Sequence, residues 1–284
     1  MKSFHRRTSR PATKPPHPVV TAAASHPGSL RVDQLLVERG LAPSRTAAQR
    51  LIDAGRVVGP DGPVAKPSML LAATEELAVV PDAEDRYVSR GGRKLAGALA
   101  HIGLDVRERI CLDIGQSTGG FTDCLLQAGA ARVIGVDVGH GQLHPRLAAD
   151  SRVEAHEGIN ARELRTCGLE KSALATRWSN EQFNLIVADV SFISLTLILP
   201  QLPPLLADNG DVLLLVKPQF EVGPQNVGKG GIVRDLALYG EVETKLRHCC
   251  AENHLRVLDW FDSSITGTDG NREFFIHAKP VVSG

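Results

Sequence analysis

Four apolar runs recur along the last two-thirds of the chain: ICLDIG from 110, RVIGVDVG from 132, FNLIVADVS from 183 and DVLLLVKP from 211. Helical stretches separate them. Strands that alternate with helices need crossover connections, and right-handed crossovers build a mainly parallel sheet covered on both faces. The expected class over residues 91–284 is therefore α/β and Rossmann-like. Ligands of such sheets sit at the carboxyl ends of the strands.

The first run continues as CLDIGQSTGGFTDCLL, residues 111–126, a strand that breaks into a glycine turn before a helix. Three cofactor classes use such a turn. A phosphate-binding P-loop would need lysine after its second glycine, but Phe121 follows Gly120. A dinucleotide fingerprint would need glycine at 117, where Ser117 stands. What remains is Asp113, Gly115, Ser117, Thr118, Gly119, Gly120 and Phe121. An acid beside the turn would repel a pyrophosphate and suit a ligand carrying an ammonium and a sulfonium. Glycines let the backbone approach that ligand closely. One strand later Asp137 closes VIGVD, where a carboxylate can accept hydrogen bonds from both hydroxyls of a ribose. Together these describe an S-adenosylmethionine pocket; the alternative is a purely structural strand–turn–helix. Asn160, in GINAR, is a candidate for the adenine edge, with a backbone cap as its alternative role.

Ahead of this region, SLRVDQLLVERG and APSRTAAQRLIDAGRV read as two short helices, the second capped by Ser44, and VVGPDGPVAKP reads as a hairpin. Residues 29–80 thus form a small α+β domain, with residues 81–90 as a linker. Residues 1–28 hold five prolines, five Lys or Arg and no acid. They read as a disordered basic tail. The whole chain balances 32 basic against 32 acidic residues, so net charge argues for no partner. No unbroken apolar run approaches the ~20 residues of a membrane helix, which makes membrane insertion an unexpected function. The five cysteines form no CxxC pair, so neither zinc nor a disulfide framework is expected. Buried thiols in a reducing cytoplasm are. No metal is expected.

On the second helix Arg45, Gln49 and Arg56 recur at helical spacing beside Arg50, and periodicity alone would make them a solvated face. The wording of residues 30–80 resembles the S-four-type RNA-binding domain, which implies that Arg45, Arg50 and Arg56 meet RNA phosphates. Beyond it, RYVSRGGRKLAGAL, CLDIGQSTGGFTDCLLQAGA, VIGVDVGHGQL, VADVSFISL, LVKPQFEVG, GKGGIVRD and GNREFFIHA resemble the TlyA family of ribosomal-RNA 2′-O-methyltransferases, once named for haemolysis. The catalytic domain is similar to the FtsJ type. That resemblance implies a Lys-Asp-Lys-Glu tetrad at Lys94, Asp189, Lys217 and Glu273, an S-adenosylmethionine cofactor, and ribosomal RNA or ribosomal subunits as partner. Arg90 and Arg93, beside Lys94, are assigned to the same RNA. Gln116 departs from the family pattern, which has a small residue there, and could crowd the cofactor loop. Glu221, in KPQFE, rivals Glu273 for the fourth place.

The implied chemistry needs a ribose hydroxyl to lose its proton as oxygen attacks a sulfonium methyl. Lys217 would accept that proton or stabilise the oxyanion, with Lys94 and the two acids acting on it in opposite senses. The competing functions are a membrane-damaging haemolysin and an RNA-binding assembly factor without turnover. Base methylation is a further alternative, without an Asn-Pro-Pro-Tyr-type motif or paired catalytic cysteines to support it. Cys111 and Cys124 flank the cofactor loop and are expected to pack.

Overall fold

A computed structural model of the chain describes residues 29–42, 44–80, 86–164, 182–267 and 269–281. The basic tail, Cys167 and residues 81–85 of the expected linker lie outside them. The chain divides into two compact units, Met1–Pro81 and Asp82–Gly284.

In the first unit, strand β1 (Ser29–Arg31) leads into α1 (Val32–Glu38), followed by α2 (Arg45–Asp53). Val32, Leu35 and Leu36 share one helical face and are buried with Ala48 and Ile52. The Ser44 hydroxyl caps α2 by accepting from Ala47 N–H at 3.2 Å. The expected hairpin forms from β2 (Val57–Gly59) and β3 (Gly62–Pro63), with β4 (Leu70–Ala72) pairing β1 and β5 (Ala78–Val79) pairing β2.

Residues 86–90 of the expected linker fall within the second unit. Tyr87 is buried, Val88 N–H donates to Asp123, and α3 begins at Arg90 (Arg90–Ile102). Then follow β6 (Ile110–Ile114), α4 (Gly120–Gln127), β7 (Arg132–Asp137), α5 (Pro145–Ala148), β8 (Val153–Glu157) and β9 (Phe183–Ala188). The chain ends with β10 (Leu206–Val216), α6 (Ala237–Glu252), β11 (Leu255–Asp262) and β12 (Phe274–Pro280). The seven strands lie in the order β11-β12-β10-β9-β6-β7-β8. Those from β10 to β8 pair in parallel, and β12 runs antiparallel to both neighbours. Apolar clusters cover the two faces, one built on Leu112, Ile186 and Leu214, the other on Cys111, Leu185 and Leu213. From β6 the chain winds outward one way through β7 and β8, then returns to the other side with β9 and β10. That reversal leaves a crevice at the carboxyl ends of β6 and β9.

The connection from β9 to β10 is a string of 3₁₀ turns rather than an α-helix. Pro200, Pro203 and Pro204 remove the N–H groups that a continuous helix would need, while Leu195, Ile198, Leu199 and Leu202 still bury against the sheet.

Candidate active site

The carboxyl ends of β6, β7, β9 and β10 converge on one cleft with three lobes. The first, about 520 Å³, is lined by Gly115, Ser117, Asp137, Gln142, Asn160 and the loop after β9, among others. The second, about 180 Å³, runs beside Gly115, Ser117, Thr118, Gly120 and Phe121. The third, about 530 Å³, is lined by Lys94, Asp189, Lys217 and Glu273 together, with Arg90 at its edge. Asp189 and Ser191 border all three lobes, and Lys217 borders the second and third.

Each tetrad position is set by its local fold. Asp189 and Lys217 directly follow the buried carboxyl-terminal halves of β9 and β10, so they emerge at the strand ends; Asp189 N–H still donates to Ile114 carbonyl at 3.0 Å. Lys94 reaches the site because the Gly-Gly pair of SRGGRK lets α3 close on α4. A Cβ on Gly92 would overlap Tyr87 and meet the Gly120 carbonyl. Although it lies in the first turns of a helix, Lys94 is only 7% exposed. Its Nζ lies 2.6 Å from Glu273 Oε2, and Lys217 Nζ lies 2.6 Å from Asp189 Oδ1. These are close ionic contacts not aligned as hydrogen bonds. Lys217 Nζ also donates to Ser191 Oγ at 2.9 Å. Two largely buried lysines are thereby each matched by one acid, which offsets the cost of burying charge. Glu221 does not border the third lobe; Glu273 does.

The cofactor candidates divide. Asp137 accepts from Ser117 N–H at 2.8 Å through Oδ2 and from Gly139 N–H at 2.6 Å through Oδ1. It therefore shapes the loop as well as presenting its remaining lone pairs to the lobe. Asn160 lines the same lobe and also caps a turn, accepting from Arg162 N–H at 3.1 Å. Gly115 has φ +82°, and a Cβ there would meet the Asp189 carbonyl oxygen at 2.8 Å, so glycine lets the two site loops touch. Gly119 packs on Leu143 and Leu147, away from the lobes. Phe121 shows the second lobe only an edge and otherwise stacks on Phe275 in the core.

Asp113 differs from its expected role. It is fully buried beneath the loop and borders no lobe; the Thr122 hydroxyl donates to its Oδ2 at 2.7 Å. Burial pushes its carboxyl up to about 7 despite that hydrogen bond. The reason is its place inside β6, in mid-sheet. Gln116 borders the second lobe, but it is buried. Its side chain turns inward, donates to Thr122 Oγ1 at 2.9 Å and lies over Gly135 Cα. Gln116, Thr122 and Asp113 thus form one buried chain of hydrogen bonds.

Ser191, Phe192, Gln219, Phe220 and Gln142 were not anticipated from sequence. Phe192 is 88% exposed with φ +63°, and its ring lies 5.1 Å from that of Phe220 across the mouth of the third lobe. An aromatic four residues beyond a strand end reads as core in the sequence; only its exposure reveals otherwise.

The RNA candidates also divide. Arg50 is exposed. Arg45 is exposed too but binds the buried Asp33 at 3.0 Å, together with Arg31 and Gln49. Arg56 braces the end of the small domain, donating to Val80 carbonyl at 3.0 and 3.1 Å. Arg90 donates to Thr266 carbonyl at 3.1 Å, and Arg93 is half-buried. Cys111 and Cys124 pack in the core, where burial pushes both thiols up to about 12. Among the described residues no cluster has the ligands for a metal, and no helix is long and apolar enough to cross a membrane.

A mainly parallel sheet with its crevice at the strand-order reversal, lined by an acid closing the second strand and a Lys-Asp-Lys-Glu set, defines a methyltransferase. The chain belongs to the FtsJ-like methyltransferase family, whose model matches residues 87–280. An S4 domain matches residues 30–76. Over 246 residues the chain is 44% identical to the 16S/23S rRNA (cytidine-2′-O)-methyltransferase TlyA of Mycobacterium tuberculosis, covering 87% of this chain and 88% of that one. It is 37% identical to Hemolysin A of Brachyspira hyodysenteriae, covering 87% and 99%. A solved protein of Streptococcus thermophilus described as a hemolysin superposes with a TM-score of 0.67 at 39% identity, covering 90% of each chain.

Proposed function

We propose that the chain transfers a methyl group from S-adenosylmethionine to the 2′-oxygen of a cytidine ribose in ribosomal RNA. The observation that carries the reading is the position of Lys217. With Asp189 and Ser191 it borders both the lobe beside the glycine turn and the lobe holding Lys94 and Glu273. A group at that junction meets both a donor on one side and an acceptor hydroxyl on the other.

S-adenosylmethionine, when bound, supplies an electrophilic methyl on a sulfonium. The residues present suit it: Asp137 and Asn160 for the adenosine half, in a lobe also lined by Val136, Ile159 and Ile193, and the backbone of 115–120 for the amino-acid half. Asp189 and Ser191 hold Lys217 so that its Nζ manages the hydroxyl proton, as base or as a stabilising cation. Lys94 and Glu273 line the acceptor lobe and orient the ribose. The exposed Phe192 offers a face on which a base can stack. Arg45 and Arg50 of the small domain supply phosphate contacts, as do Arg90 and Arg93 beside the cleft. Arg56, engaged at Val80, serves the domain fold first. A ribosomal substrate fits a cytoplasmic setting.

The haemolysin description shared by several similar proteins finds no counterpart in the cleft, whereas every tetrad position is filled. Incubating the purified chain with methyl-labelled cofactor and either intact ribosomal subunits or free RNA, then mapping the label, tests the reading. Label on a cytidine 2′-oxygen is expected. Label on a base, or none alongside liposome leakage, would overturn it.

A further inference from the structure

Glu221 stands outside the acceptor lobe, yet its side chain is only 1% exposed. Its Oε1 accepts from Leu195 N–H at 2.7 Å, and its Oε2 accepts from Ser194 Oγ at 2.6 Å and from Lys245 Nζ at 2.9 Å. Lys245, on α6, also donates to the Glu221 carbonyl at 3.0 Å. Ser194 and Leu195 end the loop that carries Asp189, Ser191 and Phe192. Glu221 ends the turn that carries Lys217 and Phe220. The carboxylate therefore staples one site loop to the other, and α6 provides the counter-charge that lets it stay buried.

What the staple spans is strained. Phe192 holds a left-handed backbone at φ +63°, uncommon for a bulky residue, while its ring meets Phe220 from the opposite loop. Such a conformation persists only where the surroundings over-determine it. Two groups link the loops beside the aromatic pair: Lys217 through Asp189 and Ser191 within the cleft, and Glu221 through Ser194 and Leu195 outside it.

We propose that Glu221 is a positioning residue for methyl transfer, acting through its bridge to Ser194, Leu195 and Lys245 to hold Phe192 against Phe220 and Lys217 against Asp189. This rests on the reading of the cleft given above. Glu221 touches no reacting atom, so its loss acts on geometry alone.

The test is Glu221→Gln in the full chain. The amide can still accept from Leu195 N–H, but it turns an NH₂ towards Lys245 or Ser194 and ends the charge pairing. Turnover on RNA should fall about 10²-fold, the scale of an ångström-level misplacement. Fluorine NMR of protein labelled with fluorophenylalanine should show the Phe192 and Phe220 resonances shifting or broadening, while those of the sheet residues Phe183 and Phe275 hold. Unmoved Phe192 and Phe220 signals, or a shift of all phenylalanines together as for a general core ion pair, overturn the assignment. If Glu221→Gln does not fold, Ser194→Ala deletes a single hydroxyl and carries the same test with the same expected signs. The spectra need no turnover. Absent methyl transfer by the unaltered chain would thus undo the functional reading, and unmoved aromatics would undo the staple.

Discussion

Lys217 bears the sharpest prediction at the scale of single residues. It follows five consecutive buried aliphatic residues and is matched by Asp189 at 2.6 Å. Lys217→Ala should lower kcat by about 10²–10⁴-fold, the usual range for a proton-handling group. Cofactor binding by calorimetry should stay near the wild-type value, because the lost interaction acts in the transition state. Lys217→Arg should not restore turnover, since a guanidinium cannot serve as base and aims its donors differently. Asp113 makes a prediction of stability instead. Its folded carboxyl titrates at about 7 against an ordinary 3.8, so between those values the folded chain holds a proton the unfolded chain has released. Stability relative to Asp113→Asn should therefore be greatest below pH 3.8 and decline as pH rises to about 7. The slope should be up to roughly 1.4 kcal/mol per pH unit. Urea unfolding of both proteins across that range measures it; parallel curves would mean that Asp113 keeps its charge when folded.

Between elements, the strand-to-helix turn is held from below as well as by its own glycines. Gln116 lies over Gly135 in β7, so Gly135→Ala must push the amide aside and break its bond to Thr122. The cost should be about 1–3 kcal/mol, as for overpacking. Gln116→Ala should remove most of that cost when combined with it, giving a coupling energy in a double-mutant cycle of unfolding. Additive effects would show that the two sites do not touch. Gly115→Ala acts on the same turn from above. Its φ of +82° and its contact with the Asp189 carbonyl predict lost cofactor affinity together with about 1–3 kcal/mol of strain.

For the whole molecule, the question is which arginines of the small domain meet RNA. Arg50 is exposed, whereas Arg45 also neutralises the buried Asp33, whose carboxyl is held well below its ordinary range by Arg31 first. Arg50→Ala should therefore leave folding intact and lower the slope of log affinity against log salt by about 0.7–0.9 for the phosphate contact it loses. Arg45→Ala should weaken RNA binding and destabilise residues 29–80 as well. Arg56→Ala should act on stability with the salt slope unchanged. Filter binding across a salt series, with thermal unfolding beside it, separates the three; an unchanged slope for Arg50→Ala would return that helix face to plain solvated surface.

Local pattern was enough for the strand runs, the glycine turn, the Ser44 cap and the positions of Asp137, Asp189 and Lys217 at strand ends. Each depends on short-range rules of period, capping and turn chemistry that neighbouring residues already state. Lys94 and Glu273 were nameable only through family resemblance, because neither closes an apolar strand run as Asp189 and Lys217 do. Their pairing at 2.6 Å exists because α3 packs on α4 through glycines and β12 inserts beside β10. The same holds for what local pattern misplaced. Asp113 looks like a strand-end acid facing the cofactor, Gln116 like a loop residue and Arg56 like a surface one, until the sheet closes over the first two and Val80 returns beside the third. Phe192 and Glu221 exchange the places their chemistry suggests, the phenylalanine exposed and the glutamate buried. Periodicity fixes which side of its own element a residue takes, but where that side points depends on partners dozens of residues away, which only tertiary packing brings together.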